Sequence, residues 1–189
     1  MSRADREKWD ARYAGADEGM AAAPSLFLAR VADLLPRSGR ALDVAGGAGR
    51  NALWLASRGL EVTIADVSQV GLDLAASRAA RAGLALRTVC VDLDDEPLPA
   101  GPWDLVVDTL YLSRPLLPVI AAALRPGGVL VFLQPTVTNL ERHDKPPRGF
   151  LLETGELASL VPPDLEPIVL EESWSEDGHH EARLVARRR

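Results

Sequence analysis

The stretch Ala41-Leu-Asp-Val-Ala-Gly-Gly-Ala-Gly-Arg-Asn51 runs from an apolar segment straight into glycines and alanines, with an aspartate just before them. Each glycine gives up more backbone freedom on ordering than any other residue. So many together are explained where the backbone has to come close to a ligand. Residues 40–44 read as a short buried strand, and 50–58 as a helix closed by Gly59. A loop that leads from a strand into a helix N-terminus presents N–H groups, which favour a carboxylate or phosphate.

The same rhythm continues outward. Residues 61–65, EVTIA, alternate as a second strand; Ser68 is placed to cap a helix that runs to about 82 and ends at Gly83. Residues 86–91 read as strand three, 92–101 as a polar loop and 104–108 as strand four. A helix over 114–124, a Pro126-Gly127-Gly128 turn and a fifth strand over 129–133 follow. Strands alternating with helices predict a parallel sheet covered on both faces. The ending differs. After a polar loop over 136–148 and a helix near 154–160, strands over 167–171 and 182–186 have no long helix between them. They must pair antiparallel, because a parallel pair needs a crossover. The fold class expected is therefore α/β: a Rossmann-like, doubly wound, mostly parallel seven-stranded sheet with a C-terminal antiparallel hairpin. Residues 1–189 are read as one domain, with 1–38 a helical cover, broken near 15–24, and 39–189 the core.

The chain has 189 residues and a formal charge of −6, an acidic balance that disfavours nucleic acid and anionic membranes as partners. Its one cysteine, Cys90, is read as a small buried strand residue. One Cys and three scattered His give no metal site. The charged start MSRADREKWDARY resembles no signal peptide, and no segment is long enough to span a bilayer. A soluble cytoplasmic protein is expected, either a monomer or a homodimer.

In an open parallel sheet, ligands bind at the carboxyl ends of the strands. Those ends carry Asp43, Asp66, Asp92 and Asp108-Thr109. Asp66, 19 positions after Gly47, suits the two hydroxyls of a ribose. Asp92 suits an exocyclic amine such as adenine N6, and the Leu93 N–H a ring nitrogen. This spacing describes an adenosine with a short charged extension. A nicotinamide dinucleotide would want G-x-G-x-x-G, but Arg50 stands at the third glycine position. Asp43 beside a pyrophosphate is unfavourable, whereas beside an α-amino group it is favourable. The residues therefore point to S-adenosylmethionine.

Asp43-Val-Ala-Gly-Gly-Ala-Gly49, Asp66, Asp92-Leu93 and Arg125-Pro-Gly-Gly128 together resemble the class I S-adenosylmethionine-dependent methyltransferases. GRNALWLASRGLEVTIADVS, LYLSRPLLPVIAAALRPGGVLVF and NLERHDKPPRGFLLETGEL are similar to the small bacterial tellurite-resistance-type members. The resemblance covers nearly the whole chain. It implies a cofactor set of Asp43, Ala45, Gly46, Gly47, Gly49, Asn51, Asp66, Val67, Asp92, Leu93 and Asp108, with Trp9, Arg12 and Tyr13 folding over the methionine end. Ala45 departs from the family, which places a glycine there; with a negative φ its methyl is benign.

The resemblance implies S-adenosyl-L-methionine as cofactor and methyl transfer to a small-molecule acceptor. Tyr111, Arg114 and His143 are the catalytic candidates. The segment 142–148, long for a compact domain, is a candidate lid with net charge +2, which would suit an anionic acceptor. Asp108-Thr-Leu-Tyr111 lacks the prolines of the Asn/Asp-Pro-Pro-Tyr motif that goes with base and amide N-methylation. His179-His180 falls in the hairpin turn and is expected in solvent. Two other readings stand beside this one: a non-catalytic S-adenosylmethionine-binding regulatory or interaction protein, and an NAD(P)-binding oxidoreductase.

Overall fold

A computed structural model describes residues 3–15 and 23–189. Part of the break foreseen near 15–24 lies outside the described residues. Helices α1 (Arg3–Ala14) and α2 (Leu26–Arg30) precede the sheet. The sheet and its helices then run β1 (Arg40–Val44), α3 (Arg50–Ser57), β2 (Glu61–Asp66), α4 (Gln69–Arg81), β3 (Leu86–Cys90), β4 (Trp103–Thr109), α5 (Leu116–Ala123), β5 (Leu124–Pro135), α6 (Glu156–Leu160), β6 (Leu165–Trp174) and β7 (His180–Arg188). The strand order is β3-β2-β1-β4-β5-β7-β6, with β7 antiparallel to both its neighbours. This is the seven-stranded, mostly parallel sheet that the alternation predicts, closed by the antiparallel hairpin. Among the described residues, no helix is long and apolar enough to cross a membrane.

Local chemistry sets the element ends. The Ser68 Oγ accepts from the Gly71 N–H at 3.0 Å, which caps α4, and Ser25 caps α2 through the Leu28 N–H at 3.1 Å. The α5 helix begins two residues later than expected. Pro115 is its N-cap, and Pro118 falls within the first turn, where a missing N–H breaks no helical hydrogen bond. The Pro126-Gly127-Gly128 turn lies inside β5 as an irregularity: Trp103 pairs with Leu124, and Leu105 with Val129.

Strand alternation sends side chains to two cores. Leu105, Val107, Val131 and Ile64 pack with α2, α3 and α4; Val106, Leu130, Phe132 and Trp103 pack with α5 and α6. No helix joins β3 to β4. The segment between them leaves β3 an exposed edge, with only Leu86 partly covered. Cys90 is consequently exposed, which corrects the expectation of a buried strand residue. The hairpin histidines correct the expectation of full solvation. Both are half-buried, and the His180 Nδ1 lies 2.7 Å from the Thr136 Oγ1.

Trp103 is 1% exposed, its Nε1–H donates to the Pro99 carbonyl at 3.2 Å, and Arg40 lies over its ring. Trp103→Ala is expected to destabilise the fold by about 3–5 kcal/mol, read from urea unfolding.

Candidate functional site

The chain turns sharply where β1 ends. Ala45 has φ +50°, Gly47 +51° and Gly49 +81°. The φ of Ala45 contradicts the benign substitution expected from the sequence. An alanine in the left-handed region is strained by roughly 1–2 kcal/mol, and the position is one that glycine would fill without that strain. Gly49, the N-cap of α3, has no room for a side chain: a Cβ there would come within 2.9 Å of the Ala75 Cβ. Gly47 is different. A Cβ there would collide with the Tyr13 hydroxyl, so the phenol of α1 rests on the loop backbone. The glycines thus serve the protein's own packing as well as the approach of a ligand.

Asp66 fixes this loop. Its Oδ2 accepts from the Gly47 N–H at 2.8 Å and its Oδ1 from the Ser68 N–H at 2.8 Å. Burial raises the pKa of this carboxyl, and those two donations oppose the shift. Each oxygen keeps a further lone pair. Asp43 is 1% exposed; its Oδ2 accepts from the Ala52 N–H at 3.1 Å, and its Oδ1 is buried without a partner. Burial pushes its pKa up to about 7. At the end of β4, Asp108 is likewise 1% exposed, with a buried, unpartnered Oδ1. Burial, and then the nearby Asp43, hold its pKa well above the usual carboxylate range.

The remaining predicted residues divide into two groups. Asp92 turns its own loop, its Oδ1 accepting from the Asp94 N–H at 3.1 Å; Leu93 and Val67 are buried. The Tyr111 hydroxyl donates to the Asp94 Oδ1 at 2.6 Å, and burial, then this bond, raise its pKa. Trp9 and Tyr13 stack with ring centroids 6.0 Å apart, Arg12 lies over Trp9, and burial pushes the Tyr13 phenol up to about 12. Asn51 is used internally. Its Oδ1 accepts from the Ser25 N–H and its Nδ2 donates to the Thr109 Oγ1, both at 2.9 Å. It therefore ties the N-terminal cover to the end of β4.

Arg114 and His143 also have partners elsewhere. Arg114 grips the Glu156 carboxylate with two bonds of 2.5 and 2.8 Å. The His143 Nε2 lies 2.8 Å from the Gly178 carbonyl, and its ring stacks on His179 at 4.5 Å. Of the three catalytic candidates, Tyr111 is the one set among the carboxyls of Asp92, Asp94 and Asp108. A cleft of about 590 Å³ opens beside it, lined by Leu93, Asp94, Leu98, Leu112, Arg114 and Val119. Among the described residues, no His, Cys, Asp and Glu side chains gather as a metal site.

Asp10 was missed from sequence. Its Oδ1 accepts from the Ser68 Oγ at 2.5 Å and the Val70 N–H at 3.3 Å, anchoring α1 onto the start of α4. Its place one residue after Trp9 and three before Tyr13 was the available signal, since i, i+3 pairs share a helix face.

Residues 41–128 match a family model described as a methyltransferase domain. No curated protein matches the chain. Solved structures share the fold at low identity. One, reported under "Conversion of a Disulfide Bond into a Thioacetal Group during Echinomycin Biosynthesis", is 21% identical, with TM-score 0.75, over 97% of this chain and 92% of that one. The N-methyltransferase NodS of Bradyrhizobium japonicum WM9, in complex with S-adenosyl-L-homocysteine, is 18% identical, with TM-score 0.72, over 97% of both chains. TehB of Haemophilus influenzae is 20% identical, with TM-score 0.70, over 86% of this chain and 62% of that one.

The Asp43 carboxyl gives a signed pH dependence. Its folded pKa of about 7 lies above the ordinary 3.8, so the folded state holds a proton that the unfolded state has released. This contribution to stability is complete below pH ~4 and is lost as pH rises towards ~7, at up to about 1.4 kcal/mol per unit. Urea unfolding of the ligand-free protein across that window should show this slope, and Asp43→Asn should reduce it by up to the share of one proton, the raised Asp66 and Asp108 carboxyls keeping theirs. In the same assay, Ala45→Gly should raise stability by about 0.5–1 kcal/mol, because relief of the left-handed strain outweighs the entropy of the added glycine.

Proposed function

We propose that the chain is a class I S-adenosylmethionine-dependent methyltransferase that transfers the methyl group to a small-molecule acceptor by in-line displacement. The observation that carries the reading is the pair of carboxyls at adjacent strand ends. The Asp43 Oδ1 is buried and has no partner, while Asp66 keeps free lone pairs on two fixed oxygens. The first fits an α-ammonium and the second the vicinal hydroxyls of a ribose. A pyrophosphate set beside Asp43, Asp66 and Asp108 would meet three acids, which disfavours a nicotinamide dinucleotide. The similar fold of an N-methyltransferase in complex with S-adenosyl-L-homocysteine supports the cofactor assignment.

The cofactor brings its own electrophilic methyl and a neutral thioether leaving group. The protein therefore has chiefly to align and to exclude water. Asp43 would hold the α-ammonium end of the cofactor and Asp66 its ribose. Gly47 leaves the loop backbone bare, and Trp9 and Tyr13 cover it. Asp92 and Leu93 stand at the adenine end. Asn51 positions Thr109, and with it the end of β4, where the acceptor must approach.

Thermal unfolding with S-adenosyl-L-homocysteine at a hundred times its Kd should show stabilisation by about 2.7 kcal/mol, and NAD(P) should give none. In Asp66→Ala, the lost hydrogen bonds, at about 1.5–3 kcal/mol each, should weaken the binding of S-adenosyl-L-homocysteine by at least one to two decades. An unchanged Kd in the folded variant removes Asp66 from the site. Release of label from methyl-labelled cofactor into an acceptor separates an enzyme from a binding module.

A further inference from the structure

Asp108 stands apart from the other carboxyls of the site. Asp66 is held by two backbone donors and Asp43 by one, but no hydrogen bond reaches the buried Oδ1 of Asp108. Its neighbours across the sheet are Val44 on β1 and Phe132 on β5, both apolar and buried. The titratable groups whose charge it meets are Asp43 from β1 and Tyr111 from the segment after β4. Neither supplies a counter-charge. An unsatisfied buried carboxyl costs stability, and such a group is explained when a ligand completes it.

Three arginines of the segments after β4 and β5 are already engaged. Arg114 is clamped on Glu156, Arg148 makes two bonds to Glu153, and Arg142 lies over the Trp174 ring at 3.7 Å. Of the three basic residues of 142–148, two are thus committed, which weakens the expectation of an anionic acceptor. The polar group without a partner here is an acid.

Building on the methyltransferase reading, we infer that the acceptor is an aliphatic amine, and that the carboxylate of Asp108 takes the proton its nitrogen gives up. The bond formed is N–CH₃ and the bond broken is S–CH₃, whose electron pair stays on sulfur. The proton leaves the nitrogen for Asp108, so the sulfonium charge ends as the proton on that carboxyl. The environment suits both halves of the task. In the free protein burial, and then Asp43, push the Asp108 carboxyl well above the usual carboxylate range, towards the neutral acid. A sulfonium beside it favours the ionised form, and an ionised carboxylate in an apolar slot is a stronger base than one in water. The Tyr111 hydroxyl, bonded to Asp94, is not available for that role. A carboxylate is already ionised and needs no such group, and a thiolate, an anion, would be repelled by the acids Asp43 and Asp108.

The test uses acceptors that share one skeleton: benzylamine, phenylmethanethiol and phenylacetate. Each is incubated with methyl-labelled cofactor and with wild type or Asp108→Asn, after S-adenosyl-L-homocysteine binding has been measured calorimetrically for both. Label should appear in benzylamine. The variant, at saturating cofactor, should lose about a hundredfold or more in kcat and the acidic limb of the wild-type kcat–pH profile. Label in the thiol or the acid instead, or in none of the three, overturns the inference. So does a variant that methylates the amine at the wild-type rate, or one that weakens cofactor binding while kcat is retained. If the variant does not fold, the wild-type panel and pH limb decide. A wild type that fails to bind S-adenosyl-L-homocysteine would instead overturn the cofactor reading itself.

Discussion

The Asp66 carboxylate, shared between the Gly47 and Ser68 N–H groups, holds the functional end of the sheet together. One buried acid joins the loop after β1 to the loop after β2. The consequences run in a ring. Ser68 caps α4 and donates its hydroxyl proton to Asp10. Asp10 seats α1, and α1 lays Tyr13 back onto Gly47. The helix that covers the site and the loop it covers are therefore fixed by the same carboxylate. A charged group is suited to this because hydrogen bonds to an ionised acceptor are shorter and stronger than neutral ones.

The rest of the site runs against the protein's own stability. Asp43 and Asp108 are carboxyls in buried places, and only Asp43 has a backbone donor, the Ala52 N–H. Each leaves an oxygen unpaired, and each tends towards the neutral acid. Ala45 adds a strained backbone beside them. Strain and unsatisfied polarity at the carboxyl ends of β1 and β4 coincide with the site proposed for the cofactor.

Much of this was legible in the sequence wherever the cause was local. The alternation of 61–65, the Ser68 cap and the direct 167–171 to 182–186 connection each carry their physics within a few residues. The acids at the strand ends followed from the topology. The features that escaped depend on distant neighbours. Cys90 is exposed because a helix is missing between β3 and β4, not because of anything in LRTVC. His179 and His180 are half-buried because the segment after β5 folds back on the hairpin and brings His143 with it. The φ of Ala45 is imposed by the turn it must make, and its side chain gives no sign of it. The anchoring role of Asp10 required knowing that α1 would dock on α4.

The position of β7 bears on how the molecule is made. It follows both β5 and β6 in the chain yet lies between them, bonded to each along nearly its whole length. During synthesis the edge of β5 stays open until β7 has emerged, and β6 has nothing to pair with before then. The two strands then enter together as a hairpin, late and cooperatively. Arg183, 4% exposed and bound to both Glu171 and Glu181, is the charged latch of that last step. Until it closes, a nascent chain carries an unpaired apolar strand beside its candidate site, the state in which chaperones would recognise it.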